Sequence, residues 1–201
     1  YTCFFMKLDI TFINFKIRHI CVFSIKKLLM KKNLVLIGMM GSGKSTIGRI
    51  IANRLNFKFF DIDKIIENEN SLKIVEIFKI KGEKFFRNTE EKISIKILKS
   101  SGNVIALGGG AFLNDKIRNE LKIQSTTIWL KWSPNLLVPR IINSKVRPLA
   151  YNLSEKELTK LMETRSKIYA KADYKINCDK LDKNKIIKKI LDIYENKKNN
   201  S

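Results

Sequence analysis

The stretch "GMMGSGKST", Gly38 to Thr46, decides the fold. It follows the apolar run "NLVLIG" (33–38) and opens "KSTIGRIIANRL" (44–55), where Ile47, Ile50, Ile51 and Leu55 share one helical face. A buried strand, a glycine-bearing loop and an amphipathic helix, in that order, are the context in which G-x-x-x-x-G-K-[ST] reads as a phosphate loop and not as a plain turn. Glycines let successive backbone N–H groups turn inward, and the helix N-terminus adds partial positive charge. Gly41, Ser42, Gly43, Lys44, Ser45 and Thr46 are therefore the expected contacts to a nucleoside triphosphate. Lys44 would reach the β- and γ-phosphates, and the Ser45 hydroxyl would ligate Mg²⁺.

Outward from this loop the pattern alternates strand and helix. "FKFFD" (57–61), "NVIALGGG" (103–110), "TTIWLK" (126–131) and "YKINC" (174–178) read as four further strands. "SLKIVEIFKIKG" (71–82) and "EKFFRNTEEKISIKIL" (83–98) are amphipathic helices parted by Gly82. Ser133 with Pro134, and the capping box of Ser154 with Glu157, open two more helices. A closing helix starts near Asp182 and carries Ile186, Ile187, Ile190, Ile193 and Tyr194 on an ordinary core face. The sum is an α/β protein, a three-layer doubly wound domain on a five-stranded, mostly parallel sheet of the P-loop NTPase type, like the nucleoside-monophosphate kinases. Its expected span is residues 30–201. Residues 1–29 do not resemble the rest, and "MKKNLVLIG" at Met30 looks like a natural start, so this segment is read as accessory or artefactual. Lys7, Asp9, Lys16 and Arg18 keep its apolar runs well short of the ~20 residues of a membrane span.

A formal charge of +21 invites a nucleic-acid partner. The excess is lysine, however, 32 against 8 arginines, accompanied by many Ile and Asn as an AT-rich coding sequence would produce, and it is dispersed along the chain. Neither nucleic acid nor membrane is expected as a partner. Cys3, Cys21 and Cys178 form no CxxC pair, which speaks against structural zinc and for a reducing, cytoplasmic setting. The single histidine, His19, lies in the first segment, so a general base elsewhere must be a carboxylate, a lysine or a less usual group.

Three constellations bear on the phosphate acceptor. Asp61 and Asp63 end the second strand, where a spacing of two puts both carboxylates on one face, one holding Mg²⁺ and the other taking a proton from an attacking hydroxyl. The alternative is a helix N-cap pair beginning "DKIIEN". Arg87, Arg140, Arg147 and Arg165 are sparse arginines in a lysine-rich chain, and arginine is distinctive where a planar fork must hold a carboxylate or phosphate. Surface ion pairs are the alternative. Gly108, Gly109 and Gly110 end the third strand without an acidic residue, stripping away side chains so that a small ligand can touch backbone, or forming a simple turn.

Taken in order, Gly38–Thr46, Asp61-x-Asp63, Phe86-Arg87 with Glu90, Gly108–Gly110, Arg147-Pro148-Leu149 and Arg165 with Tyr169 resemble the shikimate kinases over residues 31–195. The resemblance implies transfer of the ATP γ-phosphate to the 3-hydroxyl of shikimate, on the route to chorismate and the aromatic amino acids, with Mg²⁺ as cofactor. It implies Asp63 as the base that also binds ring hydroxyls, Asp61 associated with Mg²⁺, and Arg87 and Arg165 clamping the substrate carboxylate. Gly108, Gly109 and Gly110 would contact substrate through backbone. Arg147 would sit with Lys44 at the transferred phosphate, on a lid of about residues 143–153, and Arg140 would pack on adenine. A monomer binding ATP and shikimate is expected. Departures are Ile62 within the DxD, Ala150 after RPL, and "NCDKLDKN" (177–184), which lacks an Arg/Pro-containing adenine loop. Gluconate kinase or another small-metabolite P-loop kinase is the alternative. It would share the loop but not the glycine triplet with both clamping arginines.

Overall fold

The computed structural model describes residues 32–143 and 153–199. Residues 1–29, with Cys3, His19 and Cys21, and most of the expected lid, with Arg147, lie outside the described residues. Strand β1 (Asn33–Ile37) is buried at every position, as a continuous apolar run in a parallel sheet must be. It lies between β3 (Asn103–Ala106) and β4 (Ser125–Lys131), with β2 (Lys58–Asp61) and β5 (Tyr174–Asn177) at the edges, giving the order β2-β3-β1-β4-β5. Every strand pair is parallel, where the sequence suggested mostly parallel.

Alternation along β1 divides the core in two. Leu34 and Leu36 face one cluster, joined by Ile47 and Ile51 of α1 (Lys44–Leu55) and by Ile186, Ile187 and Ile190 of α7 (Lys183–Asn199). Val35 and Ile37 face the other. There the cover comes from α2 (Ile62–Asn70), α3 (Ile74–Leu98), α4 (Asp115–Gln124), α5 (Pro134–Asn143) and α6 (Glu155–Tyr169). Helices on both faces complete the three layers. The Ser154–Glu157 capping box forms as the spacing predicts, with the Glu157 N–H donating to Ser154 Oγ at 3.3 Å and the Ser154 N–H to Glu157 Oε2 at 2.8 Å.

Two elements differ from the expectation. Helix α4 is additional, held by an Asn114 cap that accepts from the Lys116 and Ile117 N–H groups. At Asp61 the strand stops and α2 begins, so Asp61 and Asp63 are not alternate residues of one strand. The cap reading holds in part, since Asp61 accepts from the Lys64 N–H at 3.4 Å. All five carboxyl strand ends point to one edge of the sheet, the edge where open α/β sheets bind ligands.

Candidate active site

The loop between β1 and α1 needs three left-handed glycines, Gly38, Gly41 and Gly43, at φ 142°, 76° and 90°. This curls the backbone so that the loop and the start of α1 line a pocket of about 290 Å³ with Gly41, Gly43, Lys44, Ser45 and Thr46. No acidic residue and no side-chain cap occupies the N-terminus of α1, leaving its N–H groups and dipole to the pocket. Lys44 is buried and donates to the carbonyls of Gly38 at 2.9 Å and Met39 at 2.8 Å. Asp61, Asp63, Ala106 and Leu107 complete its lining.

Asp63, buried in the first turn of α2, also lines a second, narrower pocket. Its apolar lining includes Ile74, Phe78 and Phe86. Arg87, Glu90 and Arg165 line it too, with Gly109 and Gly110. Arg87 donates to Glu90 Oε2 at 2.7 Å and, through Nε and Nη2, to Glu83 Oε1 at 3.2 Å. Burial works against the Arg87 charge, but Glu90 and Glu83 together hold its pKa above the ordinary value. Burial pushes the Glu90 carboxyl up, Arg87 pulls it back, and neighbouring Asp63 adds to the rise. Glu90 Oε1 is buried without a hydrogen-bond partner. The Arg165 guanidinium is buried against the Met39 sulfur at 3.7 Å, and its charge is felt by the buried Glu90 carboxyl. A guanidinium lining a cleft presents a planar fork of donors suited to a carboxylate or phosphate.

The glycine triplet earns its composition from these charges. A Cβ on Gly108 would meet Glu90 Oε1, and would lie 2.8 Å from Asp63 Oδ1. A Cβ on Gly110 would run into the Arg87 guanidinium, and one on Gly109 would come within 3.4 Å of Arg165. Behind the triplet, the Tyr169 hydroxyl donates to the Gly109 carbonyl. Burial pushes that hydroxyl up to about 12, so it remains a proton donor at any working pH.

The structure thus brings Gly41, Gly43, Lys44, Ser45, Thr46, Asp61, Asp63, Arg87, Gly109, Gly110 and Arg165 to two pockets that meet at Asp63, with Gly108 directly beneath. Ser42 is buried within the loop. Arg140 stands apart, exposed on α5 with its guanidinium 4.2 Å from the centre of the Trp132 ring. Glu90 and Tyr169 belong to the site although sequence reasoning assigned them no role; their place in the same short motifs as Arg87 and Arg165 was the available signal. Met39 and Met40 are buried, and Met40 lines the second pocket.

The model of the shikimate kinase family matches residues 40–195. A shikimate kinase of Bartonella quintana (strain Toulouse) is 39% identical over 184 residues, covering 89% of this chain and 88% of the relative. The solved shikimate kinase from Acinetobacter baumannii in complex with shikimate superposes with a TM-score of 0.78 at 30% identity, covering 86% of this chain and 97% of that one. A gluconokinase from Sinorhizobium meliloti 1021 reaches a TM-score of 0.52 at 16% identity over 85% of this chain and 95% of that one, a likeness of fold alone.

Proposed function

This chain belongs to the shikimate kinase family, whose members phosphorylate a shikimate hydroxyl with ATP, and from that premise we propose which of its residues carry the reaction. The observation that bears most weight is that Asp63 lines both pockets. A carboxylate on the boundary between a phosphate cradle and an arginine-lined cleft is placed to accept the proton of a hydroxyl attacking the γ-phosphate.

The acceptor sits in the second pocket. Arg165 and Arg87 fork its carboxylate, its ring rests on Phe78 and Phe86, and the backbone of Gly109 and Gly110 lies against it. Lys44 moves its ammonium from the loop carbonyls to the β- and γ-phosphates and offsets the negative charge that spreads over the transferred group. Arg140 serves the adenine. Arg147 joins from a lid of about 143–153 that excludes water. Gly41, Ser42, Gly43, Ser45 and Thr46 hold the phosphates.

Ser45 and Asp61 fit Mg²⁺. Both are oxygen donors on one pocket, and Ser45 is exposed within it. Among the described residues no cluster of three or more His, Cys, Asp or Glu could hold a metal alone. Mg²⁺ commonly uses one or two protein oxygens beside phosphates and water. When bound it would neutralise phosphate charge. Among the described residues no helix is long and apolar enough to cross a membrane. We assign the enzyme to the cytoplasm as a monomer without nucleic-acid or membrane partners, a reading that sedimentation and nucleic-acid binding assays test.

ADP release with ATP and Mg²⁺, compared between shikimate, gluconate and no acceptor, tests the roles. Turnover is expected with shikimate alone. Asp63→Asn should lose about 10²–10⁴ in kcat with ADP affinity kept, and Arg165→Ala should raise the shikimate KM. Gluconate turnover, or indifference to both substitutions, would overturn the assignment.

A further inference from the structure

Trp132 stands half-buried where β4 ends and α5 begins, and its indole N–H donates to the Ser42 carbonyl at 3.2 Å. Its ring is fixed from several sides. It packs against both core clusters, one on each face of the sheet. The Arg140 guanidinium covers it at 4.2 Å. The backbone on either side is tied down, with the Cys178 N–H donating to the Lys131 carbonyl at 2.9 Å and the Ser133 N–H to Asp179 Oδ1 at 2.8 Å.

The Ser42 carbonyl shares a peptide plane with the Gly43 N–H. No described peptide is cis, so the two groups point in opposite directions. Holding the carbonyl on Trp132 turns the Gly43 N–H the other way, and Gly43 lines the phosphate pocket. A peptide ahead of a glycine at φ 90° can turn over at little steric cost, because glycine accepts either sign of φ. Nothing in the covalent chain therefore fixes this N–H, and the indole supplies the constraint. A hydrogen bond to the carbonyl also polarises the peptide and strengthens its N–H as a donor.

We propose that Trp132 is a positioning residue for nucleotide binding, which holds the Ser42–Gly43 peptide so that the Gly43 N–H faces the phosphate of the bound nucleotide. The proposal rests on the reading of this loop as the nucleotide site. That reading fails first, and separately, if the unsubstituted chain neither binds ADP nor turns over ATP.

Trp132→Phe keeps an aromatic ring and removes the donor. Replacement of Trp132 by benzothienylalanine exchanges the N–H for sulfur at nearly constant shape, and it decides the matter if the phenylalanine variant folds poorly. The expected result is an ADP Kd and an ATP KM raised about fivefold, the worth of one net hydrogen bond. The shikimate KM and the thermal midpoint of the unliganded protein should stay close to those of the parent. Unchanged ADP affinity in the isostere, or an equal rise in both KM values, would overturn the proposal.

Discussion

At the scale of single residues, the site is a set of charges withdrawn from water, with Glu90, Asp63 and Arg165 buried. Glu90 shows the cost. Its pKa is raised from the ordinary 4.5 by burial, against the pull of Arg87. Below that ordinary value both folded and unfolded chains hold the proton, and the stability linked to the group is fully present. As pH rises the unfolded chain releases its proton first, so this contribution falls until the folded carboxyl ionises too. Each unit by which the folded value is raised is worth about 1.4 kcal/mol. The stability advantage of the parent over Glu90→Gln should accordingly shrink between pH 4.5 and neutrality, as measured by urea unfolding at several pH values. An advantage that grew with pH would mean that pairing with Arg87 outweighs burial. Residue-scale chemistry of this kind was only partly legible. The Lys44 loop is local, so its spacing alone carries its meaning. The Glu90 environment depends on Gly108 and Asp63, which reach it from other elements.

Among elements, α3 shapes the pocket proposed for the acceptor, and it does so through a break. Gly82 lies within it at φ 78° and ψ 168°, a non-helical conformation. Ile74 and Phe78 precede the break while Phe86, Arg87 and Glu90 follow it, and all five line the pocket. The Phe78 and Phe86 rings close across it with centres 4.8 Å apart. A Cβ at Gly82 would touch nothing within 4 Å, so Gly82→Ala isolates the backbone cost, about 1–3 kcal/mol for a non-glycine held in such a region. We expect a lower thermal midpoint and a raised shikimate KM, with ATP KM unchanged, since the phosphate loop lies on another element. Steady-state kinetics with each substrate varied in turn checks this. Sequence reading found this break because glycine between two amphipathic stretches marks it. It missed α4, where only Ile117 and Leu121 are buried and the apolar signal is thin. It also ran Asp61 and Asp63 together on a strand, because strand alternation and helix capping compete for the same two carboxylates.

Across the whole molecule, the parallel sheet brings the carboxyl ends of β1, β2 and β3 side by side, and so the two pockets come to share Asp63. That common wall makes the two ligands thermodynamic neighbours. Whatever factor by which nucleotide changes the affinity for shikimate, shikimate must change the affinity for nucleotide by the same factor. Calorimetric titrations of shikimate with and without ADP, and of ADP with and without shikimate, should give one coupling constant from both directions, different from unity. Asp63→Asn should move it while leaving the reciprocity intact, and additive, uncoupled binding in the parent would show that the wall separates the sites energetically. If that constant favours joint binding, the shared carboxylate makes each ligand a brake on its partner's departure, and the phosphate donor and its acceptor are retained as a pair.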